Sequence, residues 1–390
     1  MKICIITPWP PQISGIADYS VSLAKTLVEM GHTVDIYTNA DSPTQHPGIS
    51  VFTLQRAEDL VEIAAFHDAT IVQLGNHGWF HGYMVDFIVR CSDRVTVILH
   101  DFVLSHLFHL DEKFQPNDDH LTNIVSANYS RTVGESLAKH LKCDDNILSW
   151  PHWLEFPLSI ELLRKVRSIV VHSEYVRGLF FRQNIKRVHL VPFPPFACGS
   201  LAKRNRSHSS DRLYVGILGG IQKNRKVAQT LRAFSRVNST LGWQIDVVGQ
   251  IDEDCAHLQE LSASLGIQDR VIFHGRVPED ELELMLSRLD LHIALREPTL
   301  GETSGMVMRG LRYGIPTVVN NVGWYAELPD AVCKVEPGER EIDDIFNYVK
   351  KFFDDKAFRD KTRDELLSFA KSSFDTAASA RAILEAAQHS

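Results

Sequence analysis

Short apolar runs alternate with amphipathic segments along the first half of the chain. The runs KICII, VDIYT, TIVQLG, VTVILH, SIVVHS and VHLVP are separated by helical patterns such as IADYSVSLAKTLVEMG. Near-continuous apolar strands of this kind belong to parallel sheets covered by helices on both faces. The pattern stops at residues 197 to 211, ACGSLAKRNRSHSSD, a polar and basic stretch rich in small residues, which reads as an interdomain linker. Beyond it the same grammar restarts with LYVGILGG, WQIDVVGQ, RVIFHG, DLHIAL and PTVVN, each followed by a helical segment. The expected fold is therefore α/β, with two Rossmann-like domains in tandem. Ligands of open parallel sheets lie beyond the carboxyl ends of the strands, so two such domains facing each other would enclose an interdomain cleft. The expected boundaries are residues 1–197 and 212–370 for the domains, 198–211 for the linker, and 371–390 for a terminal helix that crosses back to the first domain.

The length of 390 residues fits two domains better than one core. A formal charge of −8 offers no global field to draw in nucleic acid, so any phosphate must be held by local groups. The 6 cysteines are scattered, without the paired spacing of a zinc site or a disulfide framework, which suits a reducing cytoplasm. No run approaches the roughly 20 apolar residues that span a bilayer. The aromatic residues of 104–166 could line an acceptor site or make a peripheral contact with a membrane surface, but they read more readily as ordinary packing.

Three places carry chemistry on physical grounds. In GETSGMVMRGLRYGIP, residues 301–316, Thr303 or Ser304 is a good helix cap, Gly305 admits close approach, and Gly314 suits a left-handed helix stop. The first turn of such a helix, with the amides of Ser304, Gly305 and Met306, favours a phosphate or diphosphate. Arg309 shares that face one turn further on. A second place is Lys223, Arg225 and Lys226, a cationic cluster at a helix start in an acidic chain, where something anionic must offset the dipole. The third is the first domain's strand ends: Gly15 after the first strand, and His100 with Asp101 at the end of VTVILH. His77, His81 and His106 are further candidates for contact with an acceptor. The acids Asp252, Glu253 and Asp254 open a helix, where they suit the dipole without any metal.

These segments also resemble the retaining family 4 glycosyltransferases. GETSGMVMRGLRYGIPTVVNNVGWYAELPD is similar to that family's donor-site segment, SGIADYSVSLAKTLVEMGHTVDIYT to its opening loop and first helix, and VILHD and IVVHSEYV to its later strand ends. The resemblance implies a GT-B architecture, no metal and no cofactor beyond a nucleotide diphosphate sugar as co-substrate. It implies roles at the reaction centre for His100 and Glu302, the latter as a contact of the donor sugar. It adds Gly219 and Gly275, at the ends of LYVGILGG and RVIFHG, to a donor set of Gly15, Lys223, Arg225, Lys226, Thr303, Ser304, Gly305, Met306 and Arg309. Two departures stand out. Arg309 occupies the place of the motif's second glutamate, the usual ribose acceptor, and Gly220 the place of a diphosphate-binding arginine.

The expectation is a metal-independent retaining hexosyltransferase acting on a glycan or lipid-linked acceptor. The alternatives are a non-catalytic partner subunit that has lost its donor grip, or another GT-B enzyme such as a sugar-nucleotide epimerase. A nicotinamide oxidoreductase lacks its glycine fingerprint here.

Overall fold

The computed structural model describes residues 1–54, 59–110, 115–144, 146–193, 212–237 and 242–388. The linker expected at 198–211 lies outside the described residues. The chain divides into two compact units: Met1–Phe196 with Leu300–Thr303 and Asp375–Ser390, and Ala197–Thr299 with Ser304–Phe374.

The first unit is built on β1 (Lys2–Ile6), β2 (Thr33–Thr38), β3 (Ile49–Thr53), β4 (Ala69–Leu74), β5 (Val95–Leu99), β6 (Ser168–Val171) and β7 (Val188–Leu190). These strands pair in parallel in the order β3-β2-β1-β4-β5-β6-β7. β4, β5 and β6 are buried along their whole length, as their unbroken apolar runs require of central strands. β3 is an edge strand with exposed positions, and its run ISVFT is too mixed to stand out in the sequence. The helix Gly15–Glu29 buries Ser20, Leu23, Ala24 and Leu27, one stripe at helical spacing. The helix Thr376–Gln388 belongs to this unit as well. It packs on β4, β5 and β6, burying Ala380, Ile383, Ala386 and Ala387.

The second unit carries β8 (Arg212–Leu218), β9 (Gly242–Val248), β10 (Val271–Gly275), β11 (Leu291–Ile293), β12 (Thr317–Asn320) and β13 (Cys333–Val335). They form a parallel sheet in the order β10-β9-β8-β11-β12-β13. The two orders share one feature that decides where ligands go. Strand order reverses between β1 and β4 in the first sheet and between β8 and β11 in the second, which opens a crevice at the carboxyl ends of those strands.

The described aromatic residues of 104–166 belong chiefly to packing. Trp150 and Trp153 are buried, stand edge to face with centroids 4.8 Å apart, and Trp153 Nε1 donates to the Ile147 carbonyl at 2.6 Å. The acids at 252–254 correct the sequence reading slightly: Glu253–Cys255 is a single 3-10 turn ahead of the helix Leu258–Ser264.

Candidate active site

In the second unit the switch point is lined by the turn Lys223–Arg225 and by the start of the helix Gly305–Arg312. That helix forms where the sequence expects it. Ser304 caps it, with Oγ accepting from the Val307 amide at 3.3 Å, and Gly314 ends it at φ +63°. Helix geometry leaves the amides of Gly305 and Met306 unpaired within the helix, so the positive end of its dipole faces outward. Arg225 converges on the same place: a Cβ added to Gly219 would stand 2.9 Å from Arg225 Nη2 and 3.6 Å from Met306 Cγ. Burial and the neighbouring Arg225 guanidinium push the His292 imidazole down to about 3, so this histidine adds no cation.

The two lysines of the cluster are placed differently. Lys223 is exposed. Lys226, in a left-handed conformation at φ +50°, turns its ammonium to Glu341 at 2.9 Å and Glu297 at 3.8 Å. Glu341 also accepts from Asn320 Nδ2 at 2.6 Å, and Asn320 Oδ1 accepts from the Arg296 amide at 2.8 Å. Arg296 Nη1 donates to Asn224 Oδ1 at 2.9 Å. This chain of contacts ties the Lys223–Arg225 turn to the segment after β11, across the switch point. Lys226 thus anchors the turn that presents Arg225.

Arg309 departs most from the sequence expectation. Its buried guanidinium is held by Glu279 and Glu283 of the helix Glu279–Arg288, at 2.6 Å from Glu283 Oε1 and in a two-point contact with Glu279. The Tyr313 hydroxyl donates to the second Glu283 oxygen. Gly275, at φ +65°, ends β10 just ahead of that helix and accepts at its carbonyl from the Gly249 amide at 2.7 Å.

In the first unit, Gly15 starts its helix under a Ser14 cap, with open space where a side chain would stand. His100 is buried, and its Nε2–H donates to Gln73 Oε1 at 2.6 Å, because a carbonyl oxygen only accepts. Burial, then His172 and His81, hold its pKa well below the usual value, so the ring is neutral and Nδ1 is its acceptor. Tyr19 stands edge-on to this ring at 4.9 Å. His81 donates from Nδ1 to the Gln73 carbonyl at 3.1 Å and is pushed down to about 3 by burial. Its Nε2 and Asp101 Oδ2 lie 3.0 and 3.2 Å from the point where a Cβ on Gly75 would be, with Ile16 Cδ1 closer still, so the two acceptors flank an apolar contact. Asp101 Oδ2 also accepts from the Asn76 amide at 2.9 Å. Acceptors gathered at one strand end suit a ligand rich in hydroxyls. His77 is exposed and stacks on Phe80 at 4.6 Å, while His106, lowered to about 4 by burial, lies 6.3 Å from His109.

Glu302 lies in sequence within the range expected for the second domain, yet Leu300–Thr303 packs with the first unit. The Leu300 carbonyl accepts from the Val103 amide at 3.1 Å, and Gly301 is packed against Phe102 and Val176. Glu302 Oε2 accepts from the Leu300 amide at 2.7 Å, and its charge helps to raise the Tyr175 phenol, after burial.

Tyr19, Gln73, His172, Asn224, Arg296, Glu279 and Glu283 were not singled out from sequence. Gln73 left a signal, a lone polar residue in the buried strand TIVQLG, and His172 another, at the end of SIVVHS. The glutamates left none, since acids in a first helical turn are ordinary.

Residues 201–368 match the family model described as glycosyl transferases group 1. Through this span the chain is similar to the group 1 glycosyl transferases. Over 359 residues the chain is 22% identical to the uncharacterized glycosyltransferase MJ1607 of Methanocaldococcus jannaschii, an alignment covering 84% of this chain and 82% of the relative. Its fold is similar to that of Anabaena Alr3699/HepE in complex with UDP and glucose, with a TM-score of 0.68 at 15% identity over 99% of this chain and 98% of the other. It is also similar in fold to WaaG, a glycosyltransferase involved in lipopolysaccharide biosynthesis, with a TM-score of 0.63 at 12% identity over 100% of both chains. The α/β fold with two parallel sheets of Rossmann type is thus shared by this chain and both solved structures. Among its described residues, no helix is long and apolar enough to cross a membrane, and no group of three or more His, Cys, Asp or Glu side chains is arranged to hold a metal.

Proposed function

We propose that this chain is a retaining glycosyltransferase that moves a hexosyl group, without a metal, from a nucleoside diphosphate sugar to an acceptor hydroxyl in the assembly of a polysaccharide or lipid-linked glycan. The observation that carries the reading is the convergence of Arg225 with the start of the helix Gly305–Arg312 at the switch point of the second sheet. Fixed amides and a guanidinium are suited to the negative charge that builds on a departing diphosphate. The bond from the anomeric carbon to the phosphate oxygen breaks ahead of attack. The acceptor hydroxyl then enters on the same face, and its proton passes to the departing phosphate oxygen. Glu302 is assigned to donor-sugar hydroxyls, and His81, Asp101 and the Nδ1 of His100 to ligand hydroxyls on the first unit. The UDP and glucose in the HepE structure support a uridine nucleotide as the first donor to try. The role of WaaG in lipopolysaccharide biosynthesis supports a glycan product.

Calorimetric titration tests the reading. Arg225→Ala is expected to weaken UDP binding about tenfold or more, the scale of a charged hydrogen bond, while uridine binding shifts less than about twofold. Equal losses for both would remove Arg225 from the diphosphate. A folded wild-type protein that binds no nucleoside diphosphate would instead be a non-catalytic partner subunit.

A further inference from the structure

The Arg309 cluster has one cation and two anions. Glu279 and Glu283 together leave it with a net negative charge, at the second turn of the helix whose first turn favours phosphate. Such a cluster opposes a phosphate placed directly on it, so its function lies in something other than anion binding.

The two carboxylates differ in what they have left to offer. Glu283 is the less open: one oxygen takes Arg309 and the other the Tyr313 hydroxyl, and its side chain is 28% exposed, so little of it faces outward. Glu279 is 65% exposed, and Arg309 is its partner through both oxygens. A carboxylate accepts about four hydrogen bonds, so the lone pairs turned away from the guanidinium remain for a donor from outside. Glu279 also stands at the ligand end of the sheet. It opens the helix that follows β10, and that helix is packed against the site by Met285 and Leu286, in one cluster with Leu218 at the end of β8, Val248 at the end of β9, and Met306 and Tyr313 beside Arg309. Its helix position is independent of Arg309, whose contact fixes the carboxylate's direction.

We infer that Glu279, oriented by Arg309 and Glu283, accepts the ribose hydroxyls of the bound nucleoside diphosphate. The inference rests on the donor reading above. Vicinal hydroxyls are donors that match the open side of an oriented carboxylate, and a guanidinium by itself has no acceptor to give them. The ion pair also lowers the cost of ordering the glutamate on binding, because its side chain is already held. Arg309 is here a positioning residue, and Glu279 the one that touches ligand.

The test couples a change in the protein to a change in the ligand. UDP, ADP and GDP are titrated into the wild-type protein, and the tightest binder is compared with its 2′,3′-dideoxy form. The wild type is expected to prefer the ribose form by about tenfold or more, as for hydrogen bonds to a charged group. Glu279→Ala should abolish that preference by weakening only the ribose form, leaving the dideoxy nucleotide within about twofold. Arg309→Met should reduce the preference while Glu279 is still present. Glu279 is at an exposed helix start, so its variant should fold, and the wild-type comparison requires no variant. If the wild type binds both forms equally, or Glu279→Ala weakens both alike, Glu279 does not hold the ribose, although the donor reading survives. If the folded wild type binds none of the three nucleotides, the donor reading falls and this assignment falls with it.

Discussion

A single hydrogen bond decides what His100 can do. With Nε2–H committed to Gln73 and the ring held neutral by burial, His100 is an acceptor through Nδ1. Gln73 is fully buried, so replacing it by leucine keeps the volume and removes the group that fixes the tautomer. Under the proposed function, Gln73→Leu is expected to lower turnover about tenfold, the worth of one buried hydrogen bond, without unfolding the protein. The check is kcat at saturating donor beside a circular dichroism spectrum. Unchanged kcat in a folded variant would take the tautomer out of the reaction. The position of His100 at a strand end was legible in the sequence. Its protonation state was not, because Gln73, Tyr19, His81 and His172 meet it only after distant segments of chain have come together.

At the scale of elements, the second unit's strand ends depend on close backbone contact. Gly249 lies at φ +142°, and a Cβ there would be 2.0 Å from the Gly219 carbonyl oxygen. Backbone cannot yield as a flexible side chain can, so Gly249→Ala should destabilise the second unit by about 2 kcal/mol or more. Gly220, one residue past Gly219, has nothing within 4 Å of a built Cβ, so Gly220→Ala should stay within about 0.5 kcal/mol. Urea melts of the two variants measure the contrast, and equal midpoints would contradict it. The helix Gly305–Arg312 was readable from its cap and its terminal glycine. Its charge was not: the sequence displays Arg309 as a cation one turn from a phosphate site, and the helix Glu279–Arg288 reverses the sign of its surroundings.

Across the whole molecule, several histidines are kept neutral by burial. His81 and His292 are lowered to about 3, His106 and His172 to about 4, and His100 well below its usual value. The unfolded chain takes up these protons near pH 6.5, while the folded chain does not. Their contribution is therefore complete above about pH 6.5 and is lost as the pH falls from there toward 4, by up to about 1.4 kcal/mol per pH unit for each group. Of these, only His292 belongs to the second unit, so the first unit should lose more. Calorimetry between pH 7.5 and 5 should show falling transition temperatures, with a larger shift in the transition assigned to the first unit. Constant temperatures over that range would mean that these rings gain protons in the folded state.

The apolar periodicity determined eleven of the thirteen described strands and the two-sheet architecture, and it pointed to strand ends for ligand chemistry, because those follow from local pattern and from the geometry of parallel sheets. Tertiary structure alone decided which charges act outward. Lys226 is drawn to Glu341, Arg309 to Glu279 and Glu283, and Leu300–Thr303 joins the unit that precedes it in the chain. The reason is range: hydrophobic pattern repeats within a few residues, whereas an ion pair joins side chains whose separation along the chain is here between 26 and 115 residues.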